Sequence, residues 1–231
     1  SGVRLALPAI VNNGALTLDL QSGAIKRVRA MTMDASVEVF RLALRHDLTP
    51  VAYALDDEDH TVLLHGPRPN RVTASYLQSV ALHQPLAKVD LASFARRATR
   101  CLSFILLDLP PRLELLFREL TALPGLTTHL GRSVYASGVG VGEVQAEGAD
   151  KASAASALAR LDGGTSRDAV AFGDNCNDLP LLLWAADAYC PPDAAAEVLA
   201  AVQGRIAPCS EEGVATFLEQ VMGHVAPPSP I

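Results

Sequence analysis

The sequence predicts an α/β protein in which a parallel β-sheet flanked by helices is combined with a separate α+β module. From Asp150 onward, short apolar segments alternate with helical segments across short loops, which favours a doubly wound parallel sheet. The middle of the chain instead alternates hairpin-like strands with helices, which is typical of an α+β arrangement. A length of 231 residues is sufficient for one or two such domains.

The N-terminal third contains several strand signals and one clear helix signal. LPAIV predicts a short buried strand and NNG a turn, and ALTLDL with SGAIKRV predicts a hairpin around Ser22 and Gly23. Apolar residues at helical spacing in DASVEVFRLALRHD predict a helix with Asp34 or Ser36 as its N-cap. TPVAYALDD and HTVLLHG are predicted strands, whereas NRVTASYLQSVA fits either an extended or a helical structure.

The remaining segments complete the two patterns. DLASFARRA predicts a helix capped by Asp90, TRCLSFILLDL a strand, PPRLELLFRELTAL an amphipathic helix, and TTHLGR and SVYASGVGVGEVQAE strands. After Asp150 the predicted helices are KASAASALARL, LPLLLWAADA, DAAAEVLAAV and EEGVATFLEQVMGHV, and the predicted strands are DAVAFGD, YCPP and RIAPC. Domain boundaries are predicted near Leu20 and Glu147, so that residues 1–20 and 147–231 form one domain and residues 21–146 the other.

Composition argues against several classes of function. The net charge is −6 and no basic cluster outweighs its surroundings, so we expect no nucleic-acid partner. Charged residues or prolines interrupt each apolar run, so we expect no membrane span, and the start shows no signal-peptide pattern. The four cysteines form no CxxC or zinc-binding pattern, which indicates reduced cysteines in a cytoplasmic protein.

The segment VAFGDNCNDLPLLLW contains the strongest candidate site. Asp174 follows a predicted strand, and Asn177 and Asp178 begin the next helix, at the sheet edge where open parallel sheets bind ligands. Carboxylate and amide oxygens are suitable ligands for Mg²⁺, and Lys151 begins the preceding helix, from which its ammonium could reach a phosphate at the same edge. The alternative interpretation is a turn followed by a helix N-cap.

The motif GDNCND, together with the upstream lysine, resembles the fourth and third motifs of the haloacid dehalogenase-like (HAD) phosphatases, in particular those of the Cof-type subgroup. Four other segments resemble that subgroup in the same order along the chain: PAIVNNGALTLD, FILLDLPPRLELLFREL, GEVQAEGADKASAASALARL and APCSEEGVATFLEQV. The resemblance implies a Rossmann-like core with an inserted α+β cap domain. It also implies Mg²⁺-dependent hydrolysis of a small phosphorylated metabolite similar to a sugar phosphate.

The resemblance further implies roles for individual residues. Asp174 would ligate Mg²⁺, and Asp178 would support the cation directly or through water. Asn177 would orient the loop or contact the phosphate, and Lys151 would neutralise the transferred phosphoryl group. Asn13, in the turn near the cap junction, would line the substrate pocket.

The family's nucleophile motif has no counterpart in this sequence. The resemblance implies a nucleophilic aspartate, with a second aspartate two residues later, after the first and central strand of the core sheet. The only DxD candidate is Asp57-Glu58-Asp59, which reads as an acidic turn and is not expected to be that nucleophile. Three explanations stay open: the segment lies outside this sequence, a second chain supplies it, or the core is rearranged in a catalytically inactive binding or regulatory protein.

Overall fold

The computed structural model describes residues 7–132, 137–161 and 163–222. The chain divides into two compact units, which we call unit 1 (Ser1–Ala149) and unit 2 (Asp150–Ile231). In the part of the chain that the structure describes, no helix is long and apolar enough to cross a membrane.

Unit 1 combines strands with four helices in its described part. In chain order they are β1 (Pro8–Val11), β2 (Leu16–Asp19), β3 (Ile25–Val28), α1 (Met33–Arg45), β4 (Val51–Leu55), β5 (Thr61–His65), α2 (Arg71–Val80), β6 (Leu86–Lys88), α3 (Leu91–Arg97), β7 (Arg100–Asp108), α4 (Pro110–Leu120), β8 (Leu126–Arg132) and β9 (Gly140–Ala146). The first three strands form an antiparallel sheet, and the others form a six-stranded sheet in the order β6-β5-β4-β7-β9-β8. This larger sheet is antiparallel except where β5 pairs with β6.

Side-chain caps fix the starts of three helices in unit 1. Asn70 accepts a hydrogen bond from the Thr73 amide at 2.8 Å and so caps α2. The segment that fitted either an extended or a helical structure is therefore a helix. Asp90 caps α3 as predicted. The predicted cap of α1 is wrong: Thr32, rather than Asp34 or Ser36, caps this helix. The Ser36 hydroxyl instead donates to the Thr32 carbonyl within the first turn.

The main core of unit 1 lies on one face of the six-stranded sheet. Phe40 of α1 and Phe94 of α3 stack with ring centroids 4.6 Å apart, and Phe104 of β7 packs beside both rings. All three side chains are fully buried, together with leucines of α4. Helix α2 packs through Tyr76 and Leu77 in a separate apolar cluster that also contains Leu107 of β7. Because side chains alternate along a strand, Ser103 and Ile105 of β7 face away from the main core.

Unit 2 forms a parallel sheet with helices. Its elements are α5 (Lys151–Leu161), β10 (Val170–Phe172), α6 (Leu179–Trp184), β11 (Asp187–Cys190), α7 (Ala196–Ala201), β12 (Gly204–Arg205) and α8 (Gly213–Met222). The strand order is β10-β11-β12, with both pairs parallel. The alternating pattern after Asp150 therefore predicted this architecture correctly, although α6 is shorter than the predicted helix because β11 already begins at Asp187.

Strand β10 lies at an edge of the described sheet of unit 2. Among the residues that the structure describes, it pairs with β11 on one side and with no strand on the other. Val170 on this strand is 51% exposed. Phe172, Tyr189 and Phe217 pack their rings together and connect β10, β11 and α8. The predicted fold class, α/β with a helix-flanked parallel sheet and an α+β part, is confirmed.

Candidate functional site

Asp178 is the central residue of the candidate site in unit 2. This residue is 7% exposed, and its Oδ1 forms an ion pair with Lys151 Nζ. Oδ2 accepts hydrogen bonds from the backbone amides of Asp174 and Asn175, each at 3.1 Å. Both oxygens therefore already have protein partners, and the side chain ties the loop after β10 to the start of α5. This arrangement brings Lys151, Asp174 and Asp178 together, as the sequence predicted for one sheet edge.

Lys151 is held in place by the local structure at the start of α5. The Asp150 carboxylate accepts hydrogen bonds from the Ser153 amide at 2.8 Å and from the Ser153 hydroxyl at 2.6 Å. These bonds fix the first turn of the helix, as an N-cap does. The Lys151 side chain is 29% exposed, so its ammonium is partly buried yet remains accessible to a bound anion.

Gly173 permits the close packing of the loop, a requirement that our sequence analysis missed. A Cβ atom at this position would lie 2.8 Å from Asp178 Cγ and closer still to Asp178 Cβ. Any larger residue would push the Asp178 carboxylate away from the backbone amides that donate hydrogen bonds to it. The glycine of the GDNCND motif is therefore explained by a close approach rather than by turn conformation.

Asp174 differs from Asp178 in exposure and bonding. It is exposed and follows β10 by two residues, and its carboxylate forms no hydrogen bond or ion pair with any residue of the described ranges. Its backbone carbonyl accepts from the Ala195 amide at 2.8 Å, which anchors the loop to the segment before α7. The carboxylate is thus presented to solvent from a fixed backbone.

The loop between Asp174 and α6 is a capped turn. Asn175, which the sequence analysis did not single out, accepts through its side chain from the Cys176 amide at 2.8 Å, and together with Asp178 it forms a capping box. The alternative interpretation is therefore correct for the turn, which Asn175 caps, but wrong for the helix, because α6 begins after Asp178 without a side-chain cap. Asn177, the neighbour of Asp178 in the sequence, is partly buried and also forms a contact within the protein.

Cys176 is exposed in the same loop, and its Sγ lies 3.7 Å from Glu197 Oε2. Desolvation raises the pKa of the Cys176 thiol above its usual value, and the negative charge of Glu197 raises it further. The thiolate is therefore disfavoured, and the thiol is not set up as a nucleophile.

A cavity of about 350 Å³ adjoins the loop after β10. Gly173, Asp174, Asp193 and Glu212 belong to its lining. Glu212 has a left-handed backbone (φ 55°), and Gly213 follows at a position where a Cβ would collide with the Ala207 carbonyl. The acidic-Gly-Val segment therefore turns tightly against the residues after β12 and forms one side of this cavity.

Asn13 lies in unit 1, away in sequence from the other predicted site residues. Its Nδ2 donates to Glu143 Oε2 at 2.9 Å, and its backbone has φ 49°. It lines a second cavity, of about 230 Å³, on the six-stranded sheet. Whether Asn13 contacts a substrate stays a prediction.

The DxD candidate lies in the turn between β4 and β5 of unit 1. Asp57 Oδ1 accepts from the Thr99 hydroxyl at 2.6 Å, and Asp59 forms an ion pair with Arg100. The two flanking strands are antiparallel neighbours in a hairpin. Both carboxylates therefore take part in local ion pairs and hydrogen bonds; that this turn is not the nucleophile site stays a prediction.

Within the described residues, no group of three or more histidine, cysteine, aspartate or glutamate side chains is arranged to hold a metal ion. A metal ion at the unit 2 site would therefore be bound by only one or two protein side chains. Mg²⁺ is commonly bound in this way, through one or two carboxylates with substrate oxygens and waters.

Comparisons with known proteins agree with the fold. A family model described as haloacid dehalogenase-like hydrolase matches residues 1–218. The chain is similar to a haloacid dehalogenase-like hydrolase from Bacteroides thetaiotaomicron, with 19% identity, 90% of this chain and 74% of that chain covered, and a TM-score of 0.71. A haloacid dehalogenase-like hydrolase from B. subtilis is 15% identical, with 96% and 80% covered and a TM-score of 0.73.

A third similar structure is that of a sugar phosphatase of HAD subclass IIB, with 16% identity, 93% of this chain and 75% of that chain covered, and a TM-score of 0.72. Among curated proteins, none matches this sequence. The structural likeness supports the fold, and the family model supports the assignment. The family resemblance inferred from the sequence motifs is confirmed: this chain belongs to the haloacid dehalogenase-like hydrolase family, with the fold of its Cof-type (subclass IIB) phosphatases.

Proposed function

We propose that this protein takes part in Mg²⁺-dependent hydrolysis of a small phosphorylated metabolite similar to a sugar phosphate. The observation that carries the proposal is the ion pair of Lys151 with the buried Asp178, next to the exposed carboxylate of Asp174, which has no partner among the described residues. This places one cation and one available anion at the carboxyl end of a parallel strand, where α/β proteins bind ligands. The sugar phosphatase among its structural neighbours supports the substrate class.

The two carboxylates have different roles in this proposal. Asp174 fits a divalent cation because its oxygens are exposed, fixed at a strand end and free of hydrogen bonds to the described residues. Asp178 supports the site indirectly, since its oxygens already bind Lys151 and two backbone amides. When bound, the cation would supply positive charge to the phosphoryl oxygens.

Lys151 acts as a fixed positive charge for the phosphoryl group. Its ammonium keeps one partner in Asp178 and has two further N–H bonds available. A phosphoryl oxygen that accepts one of them would gain a charge-assisted hydrogen bond as negative charge develops. Asn177 orients the loop or contacts the phosphate, and Asn13 contributes to substrate binding from unit 1; both roles are part of the proposal.

The nucleophile is proposed to come from a further strand that pairs with the open edge of β10. Parallel sheets are normally covered on both sides, and an exposed strand edge is a template for pairing. The edge position of β10 and the exposure of Val170 in the described part of unit 2 support such a partner. The strand belongs either to the same polypeptide or to a second chain, and its aspartate would lie beside Asp174. Residues 1–20 and 147–231 would then form the catalytic core and residues 21–146 the cap.

The metal assignment is tested by the substitution Asp174→Ala. Turnover of an aryl phosphate with Mg²⁺ is measured for the chain alone and in the presence of the strand-supplying segment. We expect a loss of at least about 100-fold in turnover, because a cation that stabilises transition-state charge contributes several kcal/mol. Asp187→Ala removes another exposed carboxylate, at the opposite end of the same sheet, and should leave turnover unchanged. Robust turnover by the Asp174→Ala variant would refute the assignment.

A second candidate function is a catalytically inactive binding or regulatory protein of the same family. The observation that favours it is that no DxD motif follows any of the described strands of the parallel sheet. Titration calorimetry distinguishes the two functions. Binding of inorganic phosphate with Mg²⁺, without turnover in any combination of chain and segment, would support the binding function.

A further inference from the structure

Two neighbouring arginines at the end of β3 bind the backbone of the segment that leads out of unit 1. Arg27 lies in β3, and Arg29 follows this strand and donates its amide to the Ala15 carbonyl at 2.7 Å. The side-chain hydrogen bonds that both arginines form with described residues all go to backbone carbonyl oxygens. The two guanidinium groups therefore hold the path of the chain.

The segment that they bind is a β-turn of residues 146–149, which we call the exit turn because unit 1 ends at Ala149. The Ala149 amide donates to the Ala146 carbonyl at 2.9 Å, and Gly148, the third residue of the turn, has φ 74°. A positive φ at this position is typical of a type II turn, and glycine adopts it without strain. The turn is thus encoded locally by its glycine.

The arginines bind the two central carbonyls of the exit turn. Arg29 Nε donates to the Glu147 carbonyl at 2.9 Å, and Arg27 Nη2 donates to the Gly148 carbonyl at the longer distance of 3.4 Å. Arg27 also donates through Nη1 to the Gly14 carbonyl at 2.8 Å, so one side chain connects the exit turn with the turn after β1. Only a guanidinium has several N–H donors in a fixed fork, and its hydrogen bonds are charge-assisted.

The chain on the other side of the exit turn is anchored in unit 2. The Asp150 carboxylate accepts from the amide and the hydroxyl of Ser153, and the Asp150 carbonyl accepts from the Ala154 amide at 3.1 Å. Ala149 is 3% exposed and packs in the main core of unit 1. Two segments with fixed backbones therefore meet at the peptide bond between Ala149 and Asp150.

We propose that Arg27 and Arg29 form a latch that keeps the exit turn folded, so that bending between the units is confined to the junction of Ala149 and Asp150. Hinges are a few residues that absorb a change in φ and ψ, and the latch determines which residues these are. Without the latch, the exit turn keeps only its backbone hydrogen bonds and opens more often. The inference is independent of the proposed function, because every bond of the latch lies within unit 1 and requires neither ligand nor nucleophile.

Cleavage of the full chain by a glutamate-specific protease tests the latch. The Glu147 side chain is exposed, but its carbonyl belongs to the bond that the protease would cut and is bound by Arg29. Because cleavage requires the segment to open locally, its rate reports how often the exit turn unfolds. Cleavage after Glu58, which is exposed in the turn between β4 and β5, serves as the internal reference.

Arg29→Gln should speed cleavage after Glu147 by about five- to tenfold, which is the effect of one lost charge-assisted hydrogen bond, and adding Arg27→Met should speed it further. Arg29 is exposed, so the single variant should fold. Arg96→Gln is the matched control, because Arg96 is also exposed in unit 1 but bonds to the Ser93 hydroxyl on α3. Cleavage after Glu147 at the native rate in both latch variants would overturn the proposal.

Hydrogen exchange separates opening of the turn from unfolding of unit 1. In the native protein the Glu147 and Ala149 amides, which bond to the Gly125 and Ala146 carbonyls, should be protected. Arg29→Gln should lower their protection and leave the amides of β7 unchanged. Equal loss of protection throughout unit 1 would refute a local latch, and unprotected native amides would show that the exit turn itself bends.

Discussion

The six-stranded sheet of unit 1 and the three-stranded sheet of unit 2 differ in how far the described residues cover their apolar surfaces. In unit 1, buried aromatic and leucine side chains from four helices and several strands pack on the sheet. In unit 2, the buried apolar cluster consists mainly of small residues around Leu182 and Val198. Val170 and Leu183 are exposed.

Helix α8 carries the clearest example of exposed apolar side chains in unit 2. Val214, Leu218 and Val221 are exposed and lie at helical spacing on one side of this helix. Exposed apolar groups in such an arrangement mark surfaces that other protein segments cover. Unit 1 thus buries most of its described apolar side chains, whereas unit 2 combines a well-ordered loop with an exposed apolar helix face.

The largest effect is expected from Phe94→Ala in unit 1. Phe94 stacks on Phe40 and is fully buried, so truncation should lower the free energy of unfolding of unit 1 by about 3–5 kcal/mol. Hydrogen exchange of amides in β7, measured as a function of denaturant, reports this value for unit 1 specifically. A loss below about 1 kcal/mol would show that the core of unit 1 is not closely packed and would remove the contrast with unit 2.

A smaller effect is expected from Asp178→Ala in unit 2. The substitution leaves the Lys151 ammonium and two loop amides without their acceptor, and we expect a loss of about 2–3 kcal/mol in the stability of unit 2. The expected loss of stability is smaller than for a fully buried ion pair because the Lys151 side chain is partly exposed. Hydrogen exchange of the amides in β10 and β11 measures this loss of stability.

The double variant Asp178→Ala with Lys151→Met separates the ion pair from the loop bonds. Removal of both charges should recover part of the lost stability, because the unpaired ammonium is no longer present. Asp187→Ala, at an exposed position, should change stability by less than about 0.5 kcal/mol. If Asp178→Ala behaved like Asp187→Ala, Asp178 would not organise the loop.

The smallest effect concerns thiol chemistry, which also differs between the units. Burial raises the pKa of Cys101 in unit 1 to about 12, so this thiol should not react with maleimide or disulfide reagents until unit 1 unfolds. Cys176 in unit 2 is exposed and should react, although slowly, because desolvation and the charge of Glu197 raise its pKa. At any pH below the thiol pKa, a raised pKa means a smaller thiolate fraction.

Glu197→Gln should lower the Cys176 pKa and speed labelling at pH 7 by about two- to threefold, with no change for Cys101. Rates are measured in a Cys209→Ser background, which removes the other exposed thiol. Labelling of Cys101 at the rate of Cys176 in the native protein would contradict the close packing of unit 1.

Much of this fold could be predicted from local patterns. The alternation after Asp150 predicted the parallel sheet, and the motif GDNCND with Lys151 predicted that Lys151 and Asp178 lie close together. Local signals failed where three residues offered equivalent chemistry. Thr32, Asp34 and Ser36 can all cap a helix, and only the path of the chain into α1 selects Thr32.

The sequence by itself determined the periodicity of each segment, the family and the group of residues at the end of β10, because these depend on neighbours in the chain and on a compact motif. Only the tertiary structure decided that Asp178 supports Lys151 and the loop while Asp174 faces solvent, since burial depends on what packs around each carboxylate. It also decided that Tyr53, Ser103 and Gln145 share one cavity, because strand register joins residues that are about 50 and 40 positions apart in the sequence.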